Sequence, residues 1–169
     1  MKLFYTGPPI GTLHENYAKK GLLDEDAPVR SSSSAVVDAP VGRVWTLLSD
    51  LRNWPSWRSD ARILELGETK PDAPFRWKIR GSVIRSTFAV VEPERELSWT
   101  GTAMGGVKAI DRLLLSGTAE GRTRVTIEES MSGPLLTLFY STGRLRRGHV
   151  DVLRMLKTAA ENGGRSPFT

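Results

Sequence analysis

Cysteine is absent from this chain of 169 residues. That excludes disulfides, thiolate nucleophiles and cysteine-ligated metals, and it suits a reducing cytoplasmic compartment. Histidine is nearly absent too: His14 and His149 are the only two. No apolar run approaches the ~18 residues of a membrane-spanning helix. The opening residues carry one lysine and then Leu3, Phe4 and Tyr5 before Gly7-Pro8-Pro9, which is too short and broken for a secretory signal. Zinc-ligand spacing, phosphate-binding glycine loops and RNA-binding aromatic motifs are all missing, so nothing calls for a metal or cofactor, and no specific nucleic-acid partner is expected. Charge of one sign is not scarce. The net charge is +5, with 17 arginines against 7 lysines. The arginines are scattered except at Arg144, Arg146 and Arg147, which reads first as a solvated face; the alternative is a basic surface contacting anionic membrane or nucleic acid through Arg144, Arg147 and Arg154.

The length fits one domain with a core and room for a cavity. Residues 1–30 read as an arm, with Thr12-Leu13-His14-Glu15 as a capping box and Gly21 closing a short helix. A strand follows over 29–37. Pro40 then opens a helix on which Val41, Val44, Trp45 and Leu48 share one face, and a second helical turn follows, interrupted by Pro55. From Ala61 to Met131 the period drops to two, with Phe75, Trp77 and Ile79 alternating against Arg76, Lys78 and Arg80. Gly105-Gly106 and the stretch 117–121 mark the last two hairpin turns. The period then returns to that of one long helix over 135–162, started by Pro134 and ended by Gly163-Gly164, with a bend expected at Gly143 and Gly148. His149 interrupts its apolar stripe. The chain thus divides into an arm (1–30), a main domain (31–162) and a tail (163–169).

Ordered motifs along 31–161 resemble a known family. Asp38-Ala39-Pro40, Val44-Trp45, Leu48-Ser49-Asp50 and Asn53-Trp54-Pro55-Ser56-Trp57 resemble the opening of the START-related helix-grip superfamily, SRPBCC. Phe75-Arg76-Trp77, Val91-Glu92-Pro93, Leu97-Ser98-Trp99-Thr100-Gly101 and Glu128-Glu129-Ser130 with Gly133 are similar to its polyketide cyclase/dehydrase branch, in the same order. The resemblance implies an α+β helix-grip fold: about seven antiparallel strands curved around a long C-terminal helix, with two short helices after the first strand. It also implies an apolar pocket for a lipid, polyketide, hormone or similar molecule, in an enzyme, a carrier or a sensor. Where many members carry a histidine on the strand after the glycine pair, this chain has Lys108-Ala109-Ile110-Asp111.

Alternation puts Asp111 among Val107, Ala109, Leu113 and Leu115, and Glu129 among Val125, Ile127 and Met131. A turn centred near Ala119 places Asp111 opposite Ile127 and makes Glu129 its diagonal neighbour. Two carboxylates facing an apolar space disfavour double ionisation, so one holds a proton near neutral pH, as general acid–base chemistry needs. Asp111, Glu129 and His149 are therefore the candidate catalytic set. Plainer readings stand beside it: a bulge turning Asp111 outward, an arginine partner for Glu129, a hydrogen-bonded core role for His149. Trp77, Ser86, Phe88, Trp99, Leu113, Ile127, Phe139 and Leu145 are expected to line the pocket, with Ser86 orienting a ligand hydroxyl. Binding of a hydrophobic small molecule is the leading function, and a cyclase or dehydrase reaction the alternative.

Overall fold

The computed structural model of the protein describes residues 2–162. The expected tail, 163–169, and the glycine stop at Gly163-Gly164 lie outside the described residues. Seven strands form one antiparallel sheet: β1 (Val29–Val37), β2 (Ala61–Leu66), β3 (Pro74–Ile79), β4 (Ser82–Glu92), β5 (Glu96–Ala103), β6 (Val107–Gly117) and β7 (Thr123–Ser132). Their order is β1-β7-β6-β5-β4-β3-β2, a meander whose last strand returns to pair with the first. Between β1 and β2 lie α2 (Val41–Ser49) and a 3₁₀ turn (Leu51–Ser56), and α4 (Thr142–Asn162) follows β7. This is the helix-grip fold. α4 packs chiefly along β1, and α2 meets its far end.

The sheet is amphipathic because successive side chains alternate between its faces. Phe75, Trp77, Phe88, Leu97, Trp99, Leu113, Leu115, Val125 and Ile127 point to the concave side, where they join Val44, Leu48, Trp54, Val152, Leu153 and Leu156 in the main core. A bulge in β4 between Phe88 and Val90 shifts the register there. Such an extra residue bends its strand and increases the local twist.

The long helix starts later than the periodicity implies. Leu135 takes a left-handed backbone (φ 60°), Leu136–Phe139 makes one short turn, α3, and Tyr140 is extended. Ser141 then starts α4: its carbonyl accepts from the Leu145 N–H at 3.0 Å and its Oγ from the Arg144 N–H at 3.2 Å. A serine that satisfies free N–H groups is a better start than a proline that merely tolerates the position. The interruption comes at Tyr140-Ser141, and α4 runs through Gly143 and Gly148 as one helix. Leu138 and Phe139 matched the helical period, yet both are exposed.

The arm covers the convex face of the sheet, away from α4. α1 (Ile10–Thr12) continues through a π turn (Leu13–Tyr17) and a 3₁₀ turn (Ala18–Lys20), closed by Gly21 at φ 70°. Leu13 and Ala18 pack on Ala89 and Ile110. His14 hydrogen-bonds through Nδ1 to Thr100 Oγ1 and through Nε2 to Asp72 Oδ1, each at 2.9 Å. This burial explains why polar residues on the outer side of β5, Ser98 and Thr100, are closed to solvent.

Candidate functional site

The β6–β7 turn is a three-residue loop whose third residue, Gly121, has φ 74°. The Thr118 N–H donates to the Arg122 carbonyl at 2.8 Å, which centres the loop on Glu120. Three-residue loops commonly end in a left-handed glycine. The register therefore differs from the sequence expectation by one loop position, which makes Asp111 and Glu129 direct partners and pairs Leu113 with Ile127. The same ladder extends sideways, with Ser31 opposite Glu129 and Trp99 opposite Asp111. One row of the concave face thus reads Ser31, Glu129, Asp111, Trp99 and Phe88.

α4 completes this row from above. Leu145, His149, Val152 and Leu153 face the sheet, and His149 Nε2 lies 2.8 Å from Glu129 Oε2. Asp111 and Glu129 are direct cross-strand partners, and each carboxyl acts on the proton of the other. Burial holds the Asp111 carboxyl well above its ordinary range, and the negative charge of Glu129 adds to the effect. Burial also raises Glu129, to about 7, against the lowering effects of the Asp111 hydrogen bond and the Arg58 charge. His149 is lowered, first by its own burial. These directions describe a carboxyl pair that retains a proton into the neutral range beside a neutral His149, which donates Nε2–H to Glu129. In that tautomer His149 Nδ1 is a bare nitrogen, and it is buried with no partner among the described residues. Ser31 Oγ and Trp99 Nε1, in the same row, are also buried with no partner among the described residues.

Arg58, a residue that sequence reasoning did not single out, sits at the edge of this group. Its guanidinium stacks over the rings of Trp54 and Trp77, at 4.7 and 5.5 Å from their centroids, and Nε donates to Asp60 Oδ1 at 2.9 Å. Its charge reaches Asp111, Glu129 and His149. The signal was an arginine two residues before an aspartate, directly after the aromatic Trp54-Pro55-Ser56-Trp57 segment.

The expected pocket lining is placed differently. Trp54 inserts into the concave face, its Nε1–H donating to the Leu48 carbonyl at 3.0 Å. It meets Trp77 and Trp99 at centroid distances of 5.8 and 5.9 Å, and Phe75 stacks on Phe88 at 4.4 Å. Trp77, Phe88 and Trp99 are therefore packed against one another, with Leu113 and Ile127 in the same core. Ser86 Oγ accepts from Trp77 Nε1 at 3.0 Å, which ties it to a core ring. Leu145 belongs to a separate cluster with Val29 and Leu136. Phe139 points to solvent, because the chain breaks helix just after it. The less tightly closed part of the concave face lies beside the carboxyl pair, where Ile84, Ala109, Met131 and Tyr140 are only half-buried. The surface groove of about 340 Å³ between Trp57 and Met155 lies elsewhere.

Among the described residues, His14, Glu15 and Asp72 form the one group of side chains with ligand atoms close enough to share a metal ion. Lys19 already supplies the cation there, 2.7 Å from Asp72 and 2.9 Å from Glu15.

Solved structures share this architecture. Hypothetical protein jhp0584 from Helicobacter pylori aligns with a TM-score of 0.69 at 19% identity, over 80% of this chain and 90% of that one. The ZhuI aromatase/cyclase from Streptomyces sp. R1128 aligns at 0.60 and 17%, over 82% and 97%. DynU16, from the dynemicin biosynthetic locus, aligns at 0.65 and 22%, over 79% of this chain but only 48% of that one. At these identities the likeness is one of fold. No curated protein matches this chain. Residues 28–161 match the family described as polyketide cyclase / dehydrase and lipid transport, and the chain belongs to that family of the helix-grip superfamily.

Proposed function

We propose that this protein binds a hydrophobic small molecule bearing carbonyl or hydroxyl oxygens on the half-closed part of the concave face, with Asp111, Glu129 and His149 as the polar end of the site. The observation that carries this reading is the carboxyl pair itself. Two carboxyls face each other across β6 and β7, Glu129 is hydrogen-bonded to a histidine, and among the described residues no Lys or Arg bridges the pair. Such a group is costly to bury, and a structural role would be met better by apolar residues. A protonated acid, a carboxylate and a bare imidazole nitrogen offer a donor and acceptors to an oxygen-bearing ligand. Ile84, Ala109, Met131 and Tyr140 supply the apolar surroundings. Membership of a family that includes cyclases, dehydrases and lipid transporters supports a ligand of this kind.

A second reading, catalysis, is favoured by the way the pair shares its proton. In an elimination of water, Glu129 would take the proton from the carbon beside a carbonyl, and Asp111 would protonate the leaving hydroxyl. One C–H and one C–O bond break, a C=C bond and water form, and the pair ends with its proton moved from Asp111 to Glu129. Proton exchange within the pair then returns it. Removing one member of such an acid–base pair costs roughly a hundredfold or more in rate.

Extraction of the purified protein followed by mass spectrometry identifies what occupies the site, and thermal shift with that compound measures binding. The binding reading expects a bound hydrophobic compound and stabilisation by it; an empty protein that no apolar ligand stabilises overturns it. Asp111→Asn and Glu129→Gln keep shape while removing the titrating group. Variants that still bind but lose turnover support catalysis, and variants that turn ligand over like the parent make the carboxyls structural. A parent that binds and never converts leaves the protein a carrier.

A further inference from the structure

Three separate segments bring apolar side chains to one end of the molecule. The Leu135 N–H donates to the Leu3 carbonyl at 2.8 Å, and the Gly133 N–H to the Tyr5 carbonyl at 3.2 Å, which lays residues 3–5 along 133–135. The β5–β6 turn lies against the same place: a side-chain carbon added at Gly106 would crowd Pro134, and one added at Gly133 would crowd the Val107 and Gly106 backbone. At this junction Phe4 is 78% exposed, Met104 96%, Leu135 40%, Leu138 62% and Phe139 60%. Scattered exposed apolar residues need no explanation, but here three adjoining segments carry five large ones to the same end of the molecule.

The charges beside it have one sign. From Ser130 to Val150 the chain contains no Asp or Glu and carries Arg144, Arg146 and Arg147. Arg144 lies against the patch, its Nη1 donating to the Phe139 carbonyl at 3.2 Å and its guanidinium over the Tyr140 ring. Among the described residues, none of the three arginines pairs with a carboxylate. On the arm, Asp24 accepts a hydrogen bond from the Tyr5 hydroxyl and Asp26 pairs with Lys2.

We propose that this end of the molecule docks on an anionic phospholipid membrane, inserting Phe4, Met104, Leu138 and Phe139 while Arg144, Arg146 and Arg147 meet the lipid phosphates. The combination of apolar tips and a basic flank selects a membrane over nucleic acid, because a phosphate backbone gives leucine and phenylalanine nowhere to bury. It selects a membrane over a second copy of the chain because the arginine flanks of two like patches would be brought together. The inference rests on exposed side chains and not on the carboxyl pair, so it stands or falls separately from the ligand reading.

The experiment is co-sedimentation of the full chain with phosphatidylcholine vesicles, with and without about 30% phosphatidylserine, at low and high salt. Binding is expected only with the anionic vesicles, weakening as salt rises. Leu138→Ser with Phe139→Ser should lower affinity by roughly tenfold or more. Replacing the three arginines by Gln should lower it roughly a hundredfold at low salt. Both sets of positions are exposed, so the variants keep the fold, which circular dichroism verifies. No binding to anionic vesicles overturns the proposal, as does equal binding to neutral ones. A dimer in light scattering that Leu138→Ser/Phe139→Ser dissolves assigns the patch to a second copy instead. Salt-sensitive binding to duplex DNA without vesicle binding assigns the arginines to nucleic acid.

Discussion

The two faces of the β6–β7 ladder hold the same kinds of charge and use them in opposite ways. On the convex face, Arg112 lies between Glu96 and Glu128: Nε reaches Glu96 Oε1 and Nη1 reaches Glu128 Oε2, both at 2.9 Å. On the concave face, one residue along each strand, Asp111 faces Glu129, and among the described residues no Lys or Arg lies between them. The first group is a compensated network with its hydrogen bonds made, and it joins three strands beneath the arm. The second holds charge that burial resists, so its proton is retained into the neutral range. Adjacent residues on the same two strands thus serve cohesion and chemistry, and only the partner on each face distinguishes them.

The largest effect should come from breaking the compensated side. Arg112→Ala leaves Glu96 and Glu128 without their shared cation in a mostly buried setting, and should cost about 3–5 kcal/mol in urea unfolding. A loss under about 1 kcal/mol would mean that water already screens this network.

The uncompensated side should show itself in pH. Glu129 binds its proton more tightly folded than unfolded, so its contribution is complete below its ordinary value of 4.5 and is lost as pH rises through about 7. Linkage puts that loss at about 3 kcal/mol. Asp111 has the same sign. His149, lowered by burial, has the opposite sign, gaining stability as pH rises through its ordinary range, and it offsets part of the slope. Unfolding free energies measured from pH 4 to pH 8 should fall in the parent and flatten in Glu129→Gln. Parallel curves for the two proteins would remove Glu129 as the source.

The smallest and sharpest test compares matched amides. Glu128→Gln removes a charge that Arg112 uses, and should cost about 1–2 kcal/mol. Asp111→Asn at pH 5 replaces a protonated acid with an amide that donates in the same direction, and should cost less than about 1 kcal/mol. Equal losses would erase the distinction between the faces.

The facing of these residues was legible in the sequence, and their exact partners were not. Alternation along β6 and β7 put Asp111 and Glu129 on the apolar side. It did not decide between Ile127 and Glu129 as the residue opposite Asp111, because that depends on which loop residue adopts the left-handed conformation. Arginine pairing was anticipated for Glu129, but it is Glu128 that meets Arg112 on the other face. Strand alternation and helical period give the inward faces of the expected lining but not what packs between them, and Trp54, arriving from a turn remote in sequence, packs against Trp77 and Trp99 there.

By itself, the sequence determined the succession of seven strands and a final helix, the sidedness of β3, β6 and β7, and the family. These follow from periodicity, turn glycines and prolines, and ordered motifs, all local signals that a chain carries wherever it folds. Tertiary structure alone decided the rest. It put His149 over Glu129, stacked Arg58 on two tryptophans, laid the arm on the convex face and left Leu138 and Phe139 in water. Each of these depends on the meeting of segments far apart in the chain, or on competition for one buried space, and periodicity carries no information about which segment arrives there.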